Sequence, residues 1–311
     1  MRDKEKEDTM RILLATDGSA PSVEARRMII GAFDPVAVEV TVLTVAQPGP
    51  PMIPELGIPQ PPDGHIMSEA RSDAEREARA LGEAGFAARV ATAYGYPPVE
   101  IARFARETDQ RLIVLGGRQR HLRGHLPLGS VSLNVWHHTP ASVLLVHRAP
   151  EDTPKVLLAV DGSSMDRGAI EMTRAVLGRR CCVHVVSIAP EIAPAVLVTP
   201  GAIYPGGGTA FPAEIDKRDS VEDQGLLRAD EYARRAADEL RDAGFTCTSS
   251  AFIGAAAVDL PRRIETDAVD LAIVGTRGLG PIGRTMLGSV SEHVIRSAPA
   301  TLVGRIPSEE A

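Results

Sequence analysis

The amino-acid sequence predicts an α/β protein built from two tandem doubly wound domains, each a five-stranded parallel sheet flanked by helices. Three observations lead to this prediction. The chain has 311 residues, a length that suits two domains better than one or three. Its second half repeats its first. Within each half, short apolar runs alternate with segments of helical period, which is the pattern of a parallel sheet covered on both faces.

The repeat is visible in short strings that are nearly identical. ILLATDGS at residues 12–19 returns as VLLAVDGS at 156–163, and LGSVS at 128–132 returns at 287–291. The spacing between matching positions grows from 144 to 159 residues, so the second copy is longer by the difference of 15 residues. We place this insertion in the Pro-, Gly- and Ala-rich stretch 189–225.

A polar linker joins the two copies. RAPEDTPK, at residues 148–155, is interrupted twice by proline, as is typical of a linker. We therefore predict one domain over residues 1–148 and a second over 149–311. Aromatic residues are only 4% of the chain against 44% for all hydrophobic residues, so each domain must build its core from aliphatic side chains.

Each element of the first copy has its own local signal. An apolar run predicts the first strand, and the DGSAPS string after it is a start signal for a helix. AVEVTVLTVA is typical of a strand, and the Ala-rich charged segment that follows predicts a helix with Gly85 as its C-cap. In chain order we expect strand 11–16, helix 20–33, strand 37–46, helix 68–84, strand 86–93, helix 98–107, strand 111–116, helix 130–138 and strand 142–148, with the same order in the second copy.

A glycine-rich loop marks the expected ligand crevice. Gly275 and Gly278 follow an apolar strand of the second copy, and Gly288 and Ser289 open the next helix. Glycines let backbone N–H groups approach phosphate oxygens, and a helix N-terminus favours an anion. Because ligands bind at the carboxyl ends of strands in such folds, this loop and the DGS turn would meet at one crevice. A simple turn with an ordinary helix cap remains the alternative interpretation.

Several classes of site are excluded or disfavoured. No lysine follows a glycine, so a phosphate loop of the Gly-Lys-Ser/Thr type is absent, and the G-x-G-x-x-G string at 278–283 follows the fourth strand of its copy, where a dinucleotide fingerprint is not expected. The sequence has no G-x-S-x-G or H-E-x-x-H motif and no catalytic pair of carboxylates. His137 and His138 lack further metal ligands nearby. The adjacent Cys181 and Cys182 favour packing over redox chemistry.

Charge and cysteine usage indicate the compartment and the partners. The net charge is −7 and neither half is basic, which argues against nucleic-acid binding. The three cysteines form no Cys-x-x-Cys pair, no apolar run is long enough to span a membrane, and the N-terminus is charged throughout. We therefore expect a cytoplasmic protein with no membrane contact.

The motifs together resemble the universal stress protein family, specifically its tandem two-domain members and its ATP-binding branch. That branch carries G-x2-G-x9-G-[S/T], which the four residues of the second-copy loop match in full. The resemblance covers nearly all of both copies and implies a Rossmann-like fold with ATP as ligand. It implies these cofactor-binding residues in the second copy: Asp161 and Ile188 beside the base and ribose, and Gly275, Gly278, Gly288, Ser289 and Val290 at the ribose and phosphates. The matching residues of the first copy are Asp17, Val45, Gly116, Gly129, Ser130 and Val131.

The first copy departs from the family pattern at one position. Gln119 stands where the second glycine of the loop belongs, so this loop is degenerate and the loop of the second copy is complete. Arg118, Arg120 and Arg123 make the degenerate loop basic. These arginine side chains either bind phosphate directly or belong to a solvated loop. We expect the first site to be the weaker of the two.

The resemblance also implies a function and an assembly. We expect a stress-linked sensor or regulator that binds ATP, with Mg²⁺ accompanying the triphosphate. An interaction protein that does not depend on nucleotide, and a slow ATPase, remain alternatives. The last strands, 142–148 and 300–306, are expected to pair the copies as an intrachain pseudo-dimer, although Gly304 should weaken the second strand as an edge. A further homodimer stays open. Residues 190–220 are expected to lack regular structure and to act as a lid.

Overall fold

The computed structural model describes residues 9–47, 63–117, 129–191, 215–275 and 289–305. These residues form ten strands and eight helices that alternate along the chain. The first copy consists of β1 (Met10–Thr16), α1 (Ala20–Ala32), β2 (Val38–Ala46), α2 (Asp63–Glu83), β3 (Ala87–Tyr94), α3 (Pro97–Glu107), β4 (Leu112–Gly116), α4 (Ser130–His138) and β5 (Ser142–Val146). The second consists of β6 (Lys155–Val160), α5 (Asp166–Val176), β7 (Cys182–Pro190), α6 (Ile215–Asp242), β8 (Thr246–Gly254), α7 (Ala256–Thr266), β9 (Leu271–Gly275), α8 (Ser289–Ser297) and β10 (Ala300–Gly304).

All ten strands belong to one sheet, in the order β3-β2-β1-β4-β5-β10-β9-β6-β7-β8. Pairing is parallel within each copy and antiparallel between β5 and β10, where Ala300 lies opposite Val146 and Val303 opposite Val143. The predicted fold class is therefore confirmed, and the last strands do pair the two copies. They join the two five-stranded parallel sheets into one continuous sheet.

The strand order creates a crevice in each copy. The chain moves from β1 to β2 and β3 on one side, and then crosses to β4 and β5 on the other. Such a reversal leaves a gap at the carboxyl ends of the two central strands, which is where doubly wound folds bind ligands. In the second copy the equivalent gap lies between β6 and β9.

Both faces of the sheet are covered by helices. Along β1, Ile12 and Leu14 belong to the core on the side of α1 and α2, whereas Leu13 and Ala15 belong to the core on the opposite side. This division follows from the two-residue period of a strand. Near-continuous apolar strands are the sequence signature of a sheet that is buried on both faces.

Two long helices end as their sequences predict. Gly85, after α2, has φ +92°, and its N–H donates to the Gly82 carbonyl at 3.0 Å. The N–H of Phe86 donates to the Leu81 carbonyl at 3.0 Å, which completes a Schellman motif. Gly244 repeats the arrangement after α6, with φ +88°. Glycine is suited to both positions because it adopts positive φ without the cost of a Cβ.

Two expectations about irregular segments need correction or fall outside the structure. The prediction that residues 190–220 lack regular structure is wrong for Pro190, the last residue of β7, and for 215–220, which form the first turns of α6. Residues 192–214, and with them most of the expected lid, lie outside the described residues. Helix α2 begins at Asp63, five residues before the predicted start at 68, since its polar first turn carries little hydrophobic periodicity.

Gly304 has a packing role that was not expected. A Cβ at this residue would lie 2.6 Å from the Cα of Ala169 in α5, so glycine allows the helix to pack closely on β10. Gly304 also pairs in register with Gly275 of β9. The glycine expected to weaken this strand is therefore part of its packing against the helix layer.

The junction between the copies also has polar contacts. Arg305, which is 8% exposed, donates to the carbonyl oxygens of Trp136, at 2.9 Å, and of Thr139 at the end of α4. Its guanidinium lies 4.6 Å from the centroid of the Trp136 ring. On the opposite face of the sheet, Arg180 donates to the carbonyl of Ile30 at 2.7 Å. Two arginine side chains of the second copy thus satisfy backbone carbonyls of the first. None of the described helices is long and apolar enough to cross a membrane.

Candidate functional site

Each copy has a pocket at the carboxyl ends of its central strands. The first pocket has a volume of about 340 Å³, and the second has a volume of about 110 Å³. Both are bordered by the turn after the first strand of the copy, the end of its second strand, and the start of its last helix. These are the crevices that the topology creates.

The pockets bring most of the predicted site residues together. Asp17, Val45, Gly116, Gly129, Ser130 and Val131 all line the first pocket. Asp161, Ile188, Gly275 and Val290 line the second. Ser289 begins α8, but its side chain is not described, and Gly278 and Gly288 lie outside the described residues. The same applies to Gln119 and to the basic loop around it.

The strand-end glycines, Gly116 and Gly275, have a structural reason of their own. A Cβ at Gly116 would lie 2.4 Å from the backbone carbonyl group of Pro21, and a Cβ at Gly275 would lie 2.8 Å from the Met165 carbonyl oxygen. Real Cβ atoms do not approach backbone so closely. The glycines are therefore required for the start of α1 and α5 to pass over the strand end, whether or not a ligand is bound.

The DGS turn of the first copy is held by hydroxyl and carboxylate groups. Asp17 Oδ1 accepts from the backbone N–H of Ser19 at 3.1 Å and from the Ser19 hydroxyl. Gly18 has φ +71°, a conformation that favours glycine. The Ser22 hydroxyl donates to the Ser19 carbonyl at 2.8 Å. The turn therefore presents one carboxylate and two hydroxyls to its pocket.

The second copy holds the same turn with an additional carboxylate. Asp161 Oδ1 accepts from the N–H of Ser163 at 3.0 Å, as in the first copy. Asp166 Oδ2 accepts from the N–H of Gly162 at 2.7 Å and from the N–H of Asp161 at 3.1 Å. Burial raises the pKa of Asp166 to about 6, and the neighbouring Asp161 carboxylate adds to this, although the two backbone donors oppose it.

Sequence reasoning missed Asp166, although an available signal pointed to it. Aligning DGSAPS with DGSSMD places Asp166 in the position that Ser22 occupies in the first copy. The prediction considered only residues that the two copies share, or that match the family pattern. A difference between matching positions in two otherwise similar turns carries functional information of its own.

Larger side chains explain the smaller second pocket. Met165, Asp166 and Ile188 line it, whereas the matching positions of the first copy hold Pro21, Ser22 and Val45. Each replacement adds volume at the pocket wall. The two pockets therefore share a backbone frame and differ in the space available for a ligand.

The described walls of both pockets lack positive charge. The first contains the acidic residue Asp17, and the second contains Asp161 and Asp166, with no basic residue among the described lining of either. The first turn of α4 lines the first pocket through Ser130, Val131 and Ser132, and the unpaired backbone N–H groups there are suited to an anion. Among the described residues, no three His, Cys, Asp or Glu side chains are placed to hold a metal ion.

Among the remaining candidates, Cys181 is a packing residue, whereas Cys182 and His138 are exposed. Cys181 is buried, and its thiol lies 3.4 Å from the Ala32 carbonyl oxygen. Burial raises the pKa of this thiol to about 11, which disfavours the reactive thiolate. His138 lies in the last turn of α4, with Nδ1 2.7 Å from the Asn134 carbonyl oxygen. Neither residue belongs to either pocket lining.

Comparisons with known proteins agree with this architecture. The model of the universal stress protein family matches residues 9–147 and again 153–303. No curated protein matches the chain. A universal stress protein from Archaeoglobus fulgidus has a similar solved structure, with a TM-score of 0.62, 21% identity, and coverage of 95% of this chain and 98% of that one.

Two solved structures from Pseudomonas aeruginosa are also similar along the whole chain. One is a protein of unknown function from strain PAO1, with a TM-score of 0.58, 15% identity, and coverage of 96% of this chain and 92% of that one. The other is a putative universal stress protein from strain UCBPP-PA14, with a TM-score of 0.57, 15% identity, and coverage of 96% and 93%. These likenesses support the fold. Because the family model matches both copies, the chain belongs to the universal stress protein family, as a member with two tandem copies of the fold.

Proposed function

We propose that this protein binds an adenine nucleotide, with ATP as the main candidate, in the pockets of both copies, and that it acts as a sensor or regulator in a stress response. One observation carries the proposal. The DGS turn, the end of the second strand and the start of the last helix lie far apart in the sequence, yet line one pocket in each copy. These are the segments in which the family pattern locates nucleotide-binding residues.

Different parts of each pocket suit the base, the ribose and the phosphates of a nucleotide. Val45 and Ile188 offer apolar surface to the base, and Asp17 and Asp161 offer acceptors to ribose hydroxyls. The helix starts at Ser130 and Ser289 would hold phosphate through backbone N–H groups. Mg²⁺ would accompany the triphosphate, coordinated mainly by phosphate and water oxygens. We propose this function for the cytoplasm, with one site in each domain, 1–148 and 149–311.

The test uses the full-length chain and fills one pocket at a time. Native mass spectrometry of freshly purified protein should detect bound nucleotide, and calorimetric titration with ATP should reveal two sites. Val45→Phe and Ile188→Phe each place an aromatic ring at the pocket wall where the base is expected, so each variant should lose one site and keep the other. Since both residues are partly exposed at a pocket wall, the larger ring has space to be accommodated.

Other outcomes would favour the alternatives. Absence of bound nucleotide and of titration heat in the wild type would favour an interaction protein that does not depend on nucleotide. Phosphate release from ATP well above the background rate, and lost in the double pocket-filling variant, would favour a slow ATPase. An unchanged stoichiometry in both filling variants would show that ATP binds elsewhere.

The glycine loops predict unequal affinities. Gln119 carries a Cβ and a long side chain where the complete loop has Gly278. If the backbone at this position is left-handed, a non-glycine residue costs on the order of 1–2 kcal/mol, and 1.4 kcal/mol corresponds to about tenfold in affinity. We therefore expect Gly278→Gln to weaken ATP binding to the second copy and Gln119→Gly to strengthen binding to the first. An unresponsive Gln119→Gly variant would indicate that the basic loop binds phosphate by its own geometry.

A further inference from the structure

Among the described residues that line them, the two pockets differ in one ionisable group. Asp166 lines the second pocket at the position where the first pocket has the Ser22 hydroxyl. Both residues contact the DGS turn, but they do so in opposite senses. Ser22 donates to the turn, through the Ser19 carbonyl, whereas Asp166 accepts from it, through the N–H groups of Asp161 and Gly162.

The groups around Asp166 shift the pKa of its carboxyl group in opposite directions. The two backbone N–H donors stabilise the ionised form. Partial burial and the nearby Asp161 carboxylate destabilise it. The balance raises the pKa of Asp166 to about 6, near the physiological range.

The described lining of the second pocket contains no basic residue. The elements around Asp166 contribute backbone and uncharged side chains: Ala256 and Leu260 from α7, Gly275 from β9, and Val290 and Ser291 from α8. Tyr232 of α6 packs against Gly162, where a Cβ would lie 2.3 Å from its ring. On the same helix as Asp166, Arg167 is exposed and paired with Glu171 at 3.0 Å. Asp161 is the other titratable group in the described pocket lining.

We propose that Asp166 couples the binding of an anionic nucleotide in the second pocket to the uptake of one proton, so that this pocket binds more tightly as the pH falls below neutrality, whereas the first pocket does not. The reason is electrostatic. An anionic phosphate is repelled by an ionised Asp166 in a partly desolvated pocket, and a protonated Asp166 removes that repulsion and becomes a donor. The inference rests on the proposed function, because the ligand is a nucleotide.

The expected effect has an upper limit. A group with a pKa of about 6 is roughly 25 times more protonated at about pH 5.5 than at about pH 7.5. If only the protonated form accepts the anion, affinity changes by that factor. Weaker repulsion gives a smaller change, and we expect between about 5-fold and 25-fold.

The experiment compares the two pockets in the full-length protein with the same ligand. In the Val45→Phe background, ATP affinity at the second pocket is measured from about pH 5.5 to about pH 7.5, with Asp166 intact and with Asp166→Asn or Asp166→Ser. In the Ile188→Phe background, the first pocket is measured with Ser22 intact and with Ser22→Asp. Phosphate groups titrate near pH 6 themselves, so the first pocket corrects for the ligand. Adenosine, which carries no phosphate, is the uncharged control.

Each outcome either supports or overturns the coupling of nucleotide binding to proton uptake at Asp166. We expect affinity to rise at low pH in the second pocket alone, this rise to vanish in both Asp166 variants, and Ser22→Asp to introduce it in the first pocket. Adenosine affinity should stay level. Parallel pH profiles with and without Asp166 would overturn the coupling while leaving nucleotide binding intact. Absence of ATP and adenosine binding at every pH would overturn the proposed function, and the coupling with it.

Discussion

A buried ion pair in the first copy offers a quantitative test of how this core is stabilised. Arg26 of α1 and Glu77 of α2 approach to 3.1 Å, with side-chain exposures of 19% and 0%. Both carboxylate oxygens of Glu77 and Nε of Arg26 lack a hydrogen-bond partner among the described residues. The second copy has Ile170 and Ala236 at the matching positions, and both are buried in its core. The two copies thus pack the same pair of positions with charged side chains in one and apolar side chains in the other.

The prediction is that removing one charge is costly and removing both is not. Arg26→Ile leaves the buried Glu77 with the mostly exposed Arg76, at 3.8 Å, as its nearest described cation, and should destabilise the protein by about 3–5 kcal/mol. Glu77→Ala should cost less, since the partly exposed Arg26 can turn toward water. The double variant adopts the residues of the second copy, and its stability should lie within about 1 kcal/mol of the wild type, or above it.

Urea unfolding at neutral pH measures these differences. Trp136 is the chain's only tryptophan and is 4% exposed, so its fluorescence reports unfolding of the first copy, and far-UV circular dichroism reports the whole chain. Arg71→Ala is the matched control, because it removes an exposed pair with Glu75 on the same helix and should change stability by less than about 0.5 kcal/mol. A double variant as unstable as the sum of the two single variants would refute the reasoning.

Three further predictions follow from other buried polar groups. Cys181 and Cys247 are buried, and burial raises the pKa of Cys181 to about 11, so the exposed Cys182 should be the thiol that reacts rapidly in native protein at about pH 8. Rapid reaction of all three thiols without denaturant would contradict this. Because the folded-state pKa of Asp166 is raised, its ionisation opposes folding above about pH 6, and stability should recover as the pH falls from about 7 toward 4. Asp166→Asn should therefore be more stable than the wild type at about pH 7.5, by about 1–2 kcal/mol after allowing for partial exposure. Thermal unfolding at several pH values should show a flatter pH profile for this variant. Arg305→Met should lower stability by about 2–4 kcal/mol and alter the fluorescence of the tryptophan it covers, and an unchanged emission spectrum would exclude the stacked contact.

The fold class and the location of the candidate sites follow from local sequence patterns. The apolar runs, the DGS turns and Gly85 mark where elements begin and end, because backbone conformation and hydrophobic period act over a few residues. The repeat then constrains the topology, since two similar copies must each form their own parallel sheet. Knowing that topology is enough to bring Asp17, Val45 and Gly116 to the carboxyl end of the same sheet.

Other features depended on distances between segments that are far apart in the chain. The role of Gly304 could not be predicted, because it lies in the approach of α5 to β10, and no local pattern describes that approach. Arg305 is charged, yet it lies buried between the copies because α4 ends beside it, and nothing in the local sequence indicates this.

The sequence by itself therefore determined the tandem α/β architecture and several of the residues that line each crevice, among them Asp17, Val45, Asp161 and Ile188, but it missed Asp166. Only the tertiary structure decided that β5 and β10 join the copies into one sheet, that the second pocket is the narrower, and that Asp166 titrates near pH 6. The physical reason is that periodicity and turn chemistry are properties of neighbouring residues. Pocket volume and pKa depend instead on which groups packing brings together and on how much water it leaves around them.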